Sequence, residues 1–141
     1  MRVSYDSDDL HSAALCAWKE DRGDGETGMR AVLHVIANRV GFPGFGKTVH
    51  DVIYGKNQFT SMSVPSDPEF DLRPSSEDDA FSAAISLASN VFDGHDPDLT
   101  LGAHYYENEA TATSGWFKTH IVDDPVNHKF CGKIGKQVFY V

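Results

Sequence analysis

The sequence lacks features that mark several classes of protein. Cysteine is scarce: Cys16 and Cys131 are the only two in 141 residues and lie far apart, which argues against a disulfide scaffold and fits a reducing cytoplasm. No apolar run approaches the ~20 residues of a membrane span. The N-terminal segment has one early arginine, then acids and hydroxyls, without the apolar stretch of a secretory signal. We therefore expect synthesis in the cytoplasm without a signal peptide, and no insertion into a membrane.

Basic residues are also few. The chain has 12 lysines and arginines against 21 aspartates and glutamates, a net charge of −9, whereas a dedicated nucleic-acid binder normally presents a basic stripe. Nucleic acid is therefore not an expected partner. The acids concentrate in residues 67–98, while residues 27–66 and 117–141 carry four basic residues each. A mildly basic surface that faces an anionic polymer is compatible with this distribution.

Length and apolar periodicity predict one domain over residues 1–141 of the α+β class, mainly α, with a small β part near the C-terminus. Ser7 or Asp8 is expected to cap the first helix, and Thr48 with Asp51 resembles a capping box. Helices are expected at residues 7–21, 26–39, 48–54 and from about 75 to 94. Aromatic and β-branched residues predict strands at 101–106 and 136–141, and residues 41–46 and 56–74 are expected to be irregular.

Glu20 is the first candidate for chemistry. It shares a helical arc with Ala13, Cys16 and Ala17, in the last turn of a buried helix. Partial burial raises the pKa of a carboxyl group, as general-acid catalysis at a glycosidic oxygen requires. The alternative is a carboxylate that reaches solvent or pairs with Arg22 or Arg39.

Asp24 and Glu26 follow in the next turn and are candidates for a second carboxylate in the same cleft, since glycosidases with two carboxyls hold them roughly 5–9.5 Å apart. For Glu26 we favour a charge that complements the N-terminus of the second helix. Aromatic and amide side chains suit a polysaccharide groove, although aromatics also pack in cores. These are Asn57, Gln58, Phe59, Tyr105, Tyr106, Asn108 and Trp116.

The seven histidines offer no metal-binding motif, because neither HExxH nor paired CxxC is present. We expect no metal and no cofactor. His104, within GAHYYEN, is the histidine most suited to a functional role.

The segment WKEDRGDGETGMRAVLHVIANRV at residues 18–40 resembles the start of the SleB-type cell-wall hydrolases, which include spore-cortex-lytic enzymes and phage or prophage relatives. That family opens with an E-A-R-G-E-like turn followed by G-M/Q-x-A-V-A-x-V-I-x-N-R. The similarity continues in order through TVHDVIYGKNQFTS at 48–61, GAHYYEN at 102–108, Trp116 and IGKQVFY at 134–140.

This resemblance implies a lysozyme-superfamily fold with one catalytic glutamate at the end of the first helix, where Glu20 stands. It implies cleavage of the β-1,4 bond between N-acetylmuramic acid and N-acetylglucosamine in bacterial peptidoglycan, by lytic transglycosylation that leaves a 1,6-anhydro product. Two positions depart from the family pattern: Asp24 replaces a usual Glu, and Gln137 replaces a common His. We assign substrate contacts to Glu26, Gln58, Phe59, His104, Tyr105, Tyr106, Asn108 and Trp116.

Three other functions stay open at this point. A hydrolytic muramidase would use Asp24 or Glu26 to hold water, and a non-catalytic peptidoglycan-binding module is compatible with Gln137. A zinc amidase rests only on the histidine and cysteine content. The expected setting is a monomeric phage or prophage endolysin, released by a holin or carried in a virion.

Overall fold

Three helices form the core of the computed structural model, which describes residues 2–141. Helices α1 (Ser7–Asp21), α2 (Gly25–Arg39) and α5 (Asp79–Phe92) pack together. Their apolar arcs meet as the periodicity predicts, because residues three and four apart share one face of a helix. The buried side chains include Ala13, Ala14, Ala17, Met29, Val32, Leu33, Ile36, Ala84, Ala88 and Phe92.

The helix boundaries correct several expectations. The N-cap of α1 is Asp6, not Ser7 or Asp8: Asp6 accepts from the Asp9 amide at 2.8 Å, and Asp9 accepts from the Asp6 amide at 3.1 Å. Helix α5 starts at Asp79 rather than near Ser75, because residues 75–78 form a turn and Asp78 caps the helix. The side chain of Asp78 accepts from the Phe81 amide at 2.8 Å.

Shorter elements surround this core. Helix α3 (Val49–Tyr54) begins after Thr48, which accepts from the Asp51 amide at 3.1 Å, the capping bond that was expected. Helix α4 (Thr60–Ser63) lies inside the stretch 56–74 that was expected to be irregular. Helix α6 (Gly115–Phe117) continues into a π-helical turn, Lys118–Val122.

A three-stranded antiparallel sheet near the C-terminus has the order β1–β3–β2. Its strands are β1 (Tyr105–Asn108), β2 (Phe130–Ile134) and β3 (Gln137–Tyr140). The expected strand over 101–106 is displaced, because Leu101 and Gly102 have positive φ angles of 57° and 87° that extended chains do not adopt. Strand β2 was missed, since this edge strand contains glycine and lysine and depends on pairing with β3.

Candidate active site

Glu20 lies in the last turn of α1 at the base of a cleft, where its side chain is half-buried. Two hydroxyl groups hold its carboxylate. The phenol of Tyr106, on β1, donates to Oε1 at 2.5 Å, and the hydroxyl of Ser61, on α4, donates to Oε2 at 2.8 Å. Elements far apart in the sequence thus converge on one carboxyl group.

Burial raises the pKa of Glu20, and the two hydrogen bonds from Tyr106 and Ser61 oppose that shift without cancelling it. Burial also raises the pKa of Tyr106 well above its usual value. The phenol therefore stays protonated and keeps donating to Glu20. A carboxyl group with a raised pKa, oriented by two donors, suits general acid and then general base chemistry.

Neither arginine that was considered as a partner pairs with Glu20. Arg22 donates to Glu69 at 2.7 Å and its guanidinium stacks over the ring of Trp18, 3.9 Å from the ring centre. Arg39 donates to the carbonyl of His104 at 2.7 Å. The alternative of a Glu20 ion pair is therefore wrong, and the carboxyl group remains available to a substrate.

The cleft above Glu20 has a volume of about 590 Å³ and is lined by aromatic and amide side chains. Trp116 lines it with 61% of its surface exposed, whereas Phe59 is almost fully buried and also packs in the core. The expected loop at 41–46 contributes one wall. Predicted site residues that line the cleft are Glu20, Gln58, Phe59, Tyr105, Tyr106 and Trp116.

The cleft also contains Glu107, a second carboxylate that the sequence analysis did not select. It follows Tyr106 on β1 and is half-buried. The main chain of Asn108 donates to its Oε1 at 3.3 Å. No sequence motif distinguishes Glu107 from the other acids, so only the strand's position at the cleft reveals it.

Four predicted site residues lie outside this cleft. Glu26 is exposed in the first turn of α2, as expected for a charge that complements the helix dipole. His104 is buried and its ring stacks on Phe42 at 3.8 Å. Asp24 and Asn108 line a second depression of about 340 Å³, which Glu20 also borders.

Asp24 forms a hydrogen bond with the turn between β2 and β3. Its Oδ2 accepts from the Lys136 amide at 3.1 Å. Gly135 has φ +57°, and a β-carbon there would lie 2.6 Å from Asp24 Oδ2, so only glycine permits this approach. Asp24 and Glu26 do not line the cleft above Glu20: Asp24 is held at this turn, in the depression that Glu20 also borders, and Glu26 is exposed.

Asp21, a buried residue that the sequence analysis overlooked, lines the same depression as Asp24. Its Oδ2 is buried and has no hydrogen-bond partner within residues 2–141. Burial first, and then the charge of Asp24, raise the pKa of Asp21 to about 8. Gln137, the residue that departs from the family pattern, lines the same depression as this carboxyl pair.

Residues 23–140 match the family model described as Cell Wall Hydrolase. The match starts three positions after Glu20. This chain belongs to the cell wall hydrolase family. The family resemblance drawn from the motifs is thereby confirmed.

Relatives of this chain include two spore cortex-lytic enzymes. The one from Halalkalibacterium halodurans is 36% identical over 114 residues, which are 81% of this chain and 31% of the relative. The one from Bacillus cereus is 33% identical over 135 residues, 96% of this chain and 45% of the relative. The chain therefore spans less than half the length of either protein.

Solved structures show the same fold. The catalytic domain of the germination-specific lytic transglycosylase SleB from Bacillus anthracis matches with a TM-score of 0.71 and 32% identity, over 99% of this chain and 98% of that one. The catalytic domain of the Bacillus cereus SleB protein matches with a TM-score of 0.70, also at 32% identity, over 96% and 91% of the two chains. The expected lysozyme-like α+β fold is confirmed.

No helix within residues 2–141 is long and apolar enough to span a membrane. Within the same residues, no three His, Cys, Asp or Glu side chains converge in an arrangement that holds a metal ion.

Proposed function

We propose that residues 1–141 form one catalytic domain that cleaves the β-1,4 bond between N-acetylmuramic acid and N-acetylglucosamine in peptidoglycan, as a lytic transglycosylase. The observation that carries this proposal is the half-buried Glu20 carboxyl group at the base of a sugar-sized cleft, held by Tyr106 and Ser61. Family membership and the likeness to the SleB catalytic domain support it.

In the proposed reaction, protonated Glu20 donates its proton to the glycosidic oxygen as the bond from that oxygen to C1 breaks. An oxocarbenium-like state forms at C1 of the muramic acid. The Glu20 carboxylate then takes the proton from the C6 hydroxyl of the same sugar, and O6 bonds to C1. The tyrosine and serine donors stabilise the carboxylate between these steps.

We assign the sugar contacts to side chains that line the cleft. Trp116 presents an exposed ring, and sugar faces stack on such rings. Gln58, Tyr105 and Tyr106 supply polar contacts at the other walls. Glu26, His104 and Asn108 lie elsewhere, and the proposal does not use them as direct contacts.

A hydrolytic muramidase is the second candidate, and one observation favours it. Glu107 places another carboxylate in the cleft with Glu20, and a two-carboxylate glycosidase uses the second group to activate water or to attack C1. In this alternative Glu107 takes the role that the sequence analysis gave to Asp24 or Glu26.

Mass spectrometry of fragments released from purified peptidoglycan tests both mechanisms. Wild type and Glu107→Gln should release 1,6-anhydro fragments, while Glu20→Gln should lose at least ~100-fold in rate, the usual contribution of a general acid. Fragments with a free reducing end, lost in Glu107→Gln, would instead establish hydrolysis. Binding to sacculi without fragments from any variant would leave a peptidoglycan-binding module.

The biological setting is a separate proposal. We propose an endolysin-like role, in which the domain acts on the wall of a growing host cell after release from the cytoplasm or delivery by a virion. The named relatives are spore cortex-lytic enzymes, which suggests cortex as the competing substrate. Comparing fragment release from vegetative sacculi and from decoated spores separates these settings, and sedimentation equilibrium tests the predicted monomer.

A further inference from the structure

Lys19 is a buried cation next to Glu20 in the sequence. It lies in the last turn of α1 and is only 6% exposed. Among the residues that the structure describes, 2–141, no carboxylate oxygen lies within 4.0 Å of its ammonium group. Because an unpaired buried charge is costly, the hydrogen bonds of this lysine to neighbouring elements must replace the water that it has lost.

Two backbone carbonyls accept hydrogen bonds from Lys19. Its Nζ donates to the carbonyl of Ser61 at 3.1 Å and to the carbonyl of Phe70 at 2.7 Å. Ser61 belongs to α4, and Phe70 belongs to the irregular segment that follows α4. A single side chain of α1 therefore holds both of these neighbours.

The Ser61 carbonyl needs a donor from outside its own helix. In an α-helix each carbonyl accepts from the amide four residues further on. For Ser61 that residue is Pro65, which has no N–H. Ser61 is only 2% exposed, so water has little access to it. Lys19 supplies the hydrogen bond that the single turn of α4 cannot make.

The side chain of Ser61 holds Glu20 in turn. Its hydroxyl donates to Oε2 of Glu20 at 2.8 Å, while its carbonyl accepts from Lys19. Two consecutive residues of α1 thus bind the same serine, one at its main chain and one at its side chain. Because the carbonyl is held, the serine cannot shift or turn away from Glu20 without breaking a second hydrogen bond.

We propose that Lys19 is a positioning residue for the general acid: its ammonium group holds the main chain of Ser61, so that the serine hydroxyl stays bonded to Glu20 through the reaction. This inference rests on the proposed function, in which Glu20 is the acid. It goes beyond that function by assigning a role in the chemistry to a buried lysine that does not line the cleft above Glu20.

Other charged or titratable groups also face Glu20 and Lys19, and the test must separate their effects. Those around Glu20 are Tyr106, Arg39, Cys16, Asp21 and Asp67. Those around Lys19 are Arg73, Cys16, Glu69 and Asp67. Asp67 faces both residues, and the Thr60 hydroxyl holds its Oδ2 at 2.6 Å, so its position does not depend on Lys19.

Titration of the Glu20 carboxyl carbon by NMR, with the signal assigned by Glu20→Gln, tests the inference. Ser61→Ala should raise the pKa of Glu20 by about one unit, the size of one hydrogen bond to a charged group. Lys19→Met has nearly the same length but cannot donate. It should raise the pKa of Glu20 by at least about 0.5 unit, because it loosens the Ser61 bond without removing it.

A double-mutant cycle separates positioning from the simple loss of a nearby charge. Loss of the Lys19 charge would raise the pKa of Glu20 whether or not residue 61 carries a hydroxyl. Loss of positioning acts only through that hydroxyl, so Lys19→Met should have little effect in the Ser61→Ala background. An equal rise in both backgrounds, or no rise in either, would overturn the proposal.

Arg73→Met is the matched control. Arg73 donates to the same Phe70 carbonyl at 2.8 Å and to the Leu72 carbonyl at 2.9 Å, but not to Ser61. This variant therefore removes a cation from the same carbonyl and should leave the pKa of Glu20 unchanged. A rise equal to that of Lys19→Met would contradict a specific role for Lys19.

Thermal unfolding establishes that each variant folds. Should Lys19→Met fail to fold, wild type provides a second test, because hydrogen-bonded and buried ammonium protons exchange slowly with water. Proton–nitrogen NMR should detect them at Lys19, and a rapidly exchanging ammonium group there would overturn the proposal. Neither measurement requires turnover, so a failure of Glu20 as the acid would appear in the fragment assay and not here.

Discussion

Tyr106 and Glu20 are 86 residues apart in the chain, and the tyrosine hydroxyl donates to Oε1 of the glutamate at 2.5 Å. Tyr106 also stacks on Phe139, its partner across β1 and β3, with ring centres 5.6 Å apart. The sheet therefore fixes the donor, and α1 fixes the acceptor. The protonation of Glu20 depends on how these two elements pack.

Removing the Tyr106 hydroxyl should change both rate and pH dependence. The hydrogen bond from Tyr106 lowers the pKa of Glu20, whereas burial raises it. Tyr106→Phe should therefore raise the pKa of Glu20 and shift the alkaline limb of the pH–rate profile to higher pH. The rate should fall at least roughly tenfold, since hydrogen bonds to charged groups contribute about 1.5–3 kcal/mol. Turbidity loss of sacculi across pH measures both effects. Tyr105→Phe, in the same cleft but without this bond, should leave the alkaline limb in place.

Ser61 provides the second donor to Glu20, at Oε2. Ser61→Ala should also shift the alkaline limb to higher pH, because the hydrogen bond from the Ser61 hydroxyl lowers the pKa of Glu20. Ser63→Ala is the matched control, since Ser63 lies on the same helix and bonds only to the Phe59 carbonyl. Equal pH profiles for the two serine variants would contradict a role for Ser61 in holding the acid.

The Asp21–Asp24 pair should make stability depend on pH. The pKa of Asp21 rises from 3.8 to about 8 on folding, so the folded state binds a proton more tightly than the unfolded state. Stability is therefore lost as pH rises between these two values. Asp21→Asn cannot ionise and removes the buried charge, so the variant should be more stable than wild type at pH 9.

Thermal unfolding at pH 5, 7 and 9 measures this effect. We expect a gain of at least about 1.4 kcal/mol at pH 9, the equivalent of one pKa unit, and a smaller gain at pH 5. Glu26→Gln removes an exposed acid from the next helix and should follow wild type at every pH. A constant difference between Asp21→Asn and wild type across this range would refute the raised pKa of Asp21.

Trp116 should contribute to substrate binding without supporting the fold. Its ring is 61% exposed and stacks on His120 with centres 4.9 Å apart. Trp116→Ala should weaken binding of N-acetylglucosamine tetramer roughly tenfold, as removal of an aromatic anchor commonly does, with an unchanged melting temperature. Phe130→Ala, which removes an exposed aromatic outside the cleft, should not alter binding.

Helices α1, α2 and α5 and the position of Glu20 were predictable from the sequence, because apolar residues three and four apart define a helix face locally. The motifs at 18–40, 48–61 and 102–108 also identified the family. The exact helix starts were less predictable, since capping depends on which nearby aspartate adopts an extended backbone. The edge strand β2 was missed because its pairing partner, not its composition, stabilises it.

The amino-acid sequence by itself thus determined that a glutamate would end a buried helix beside a family motif. Only the tertiary structure decided that Tyr106 and Ser61 hold this glutamate, that Glu107 rather than Asp24 shares the cleft, and that Lys19 donates to the Ser61 carbonyl. The physical reason is the distance along the sequence between the residues in contact. A helical face is defined by residues three and four positions apart, whereas contacts between residues 41 and 86 positions apart form only when separate elements pack against one another.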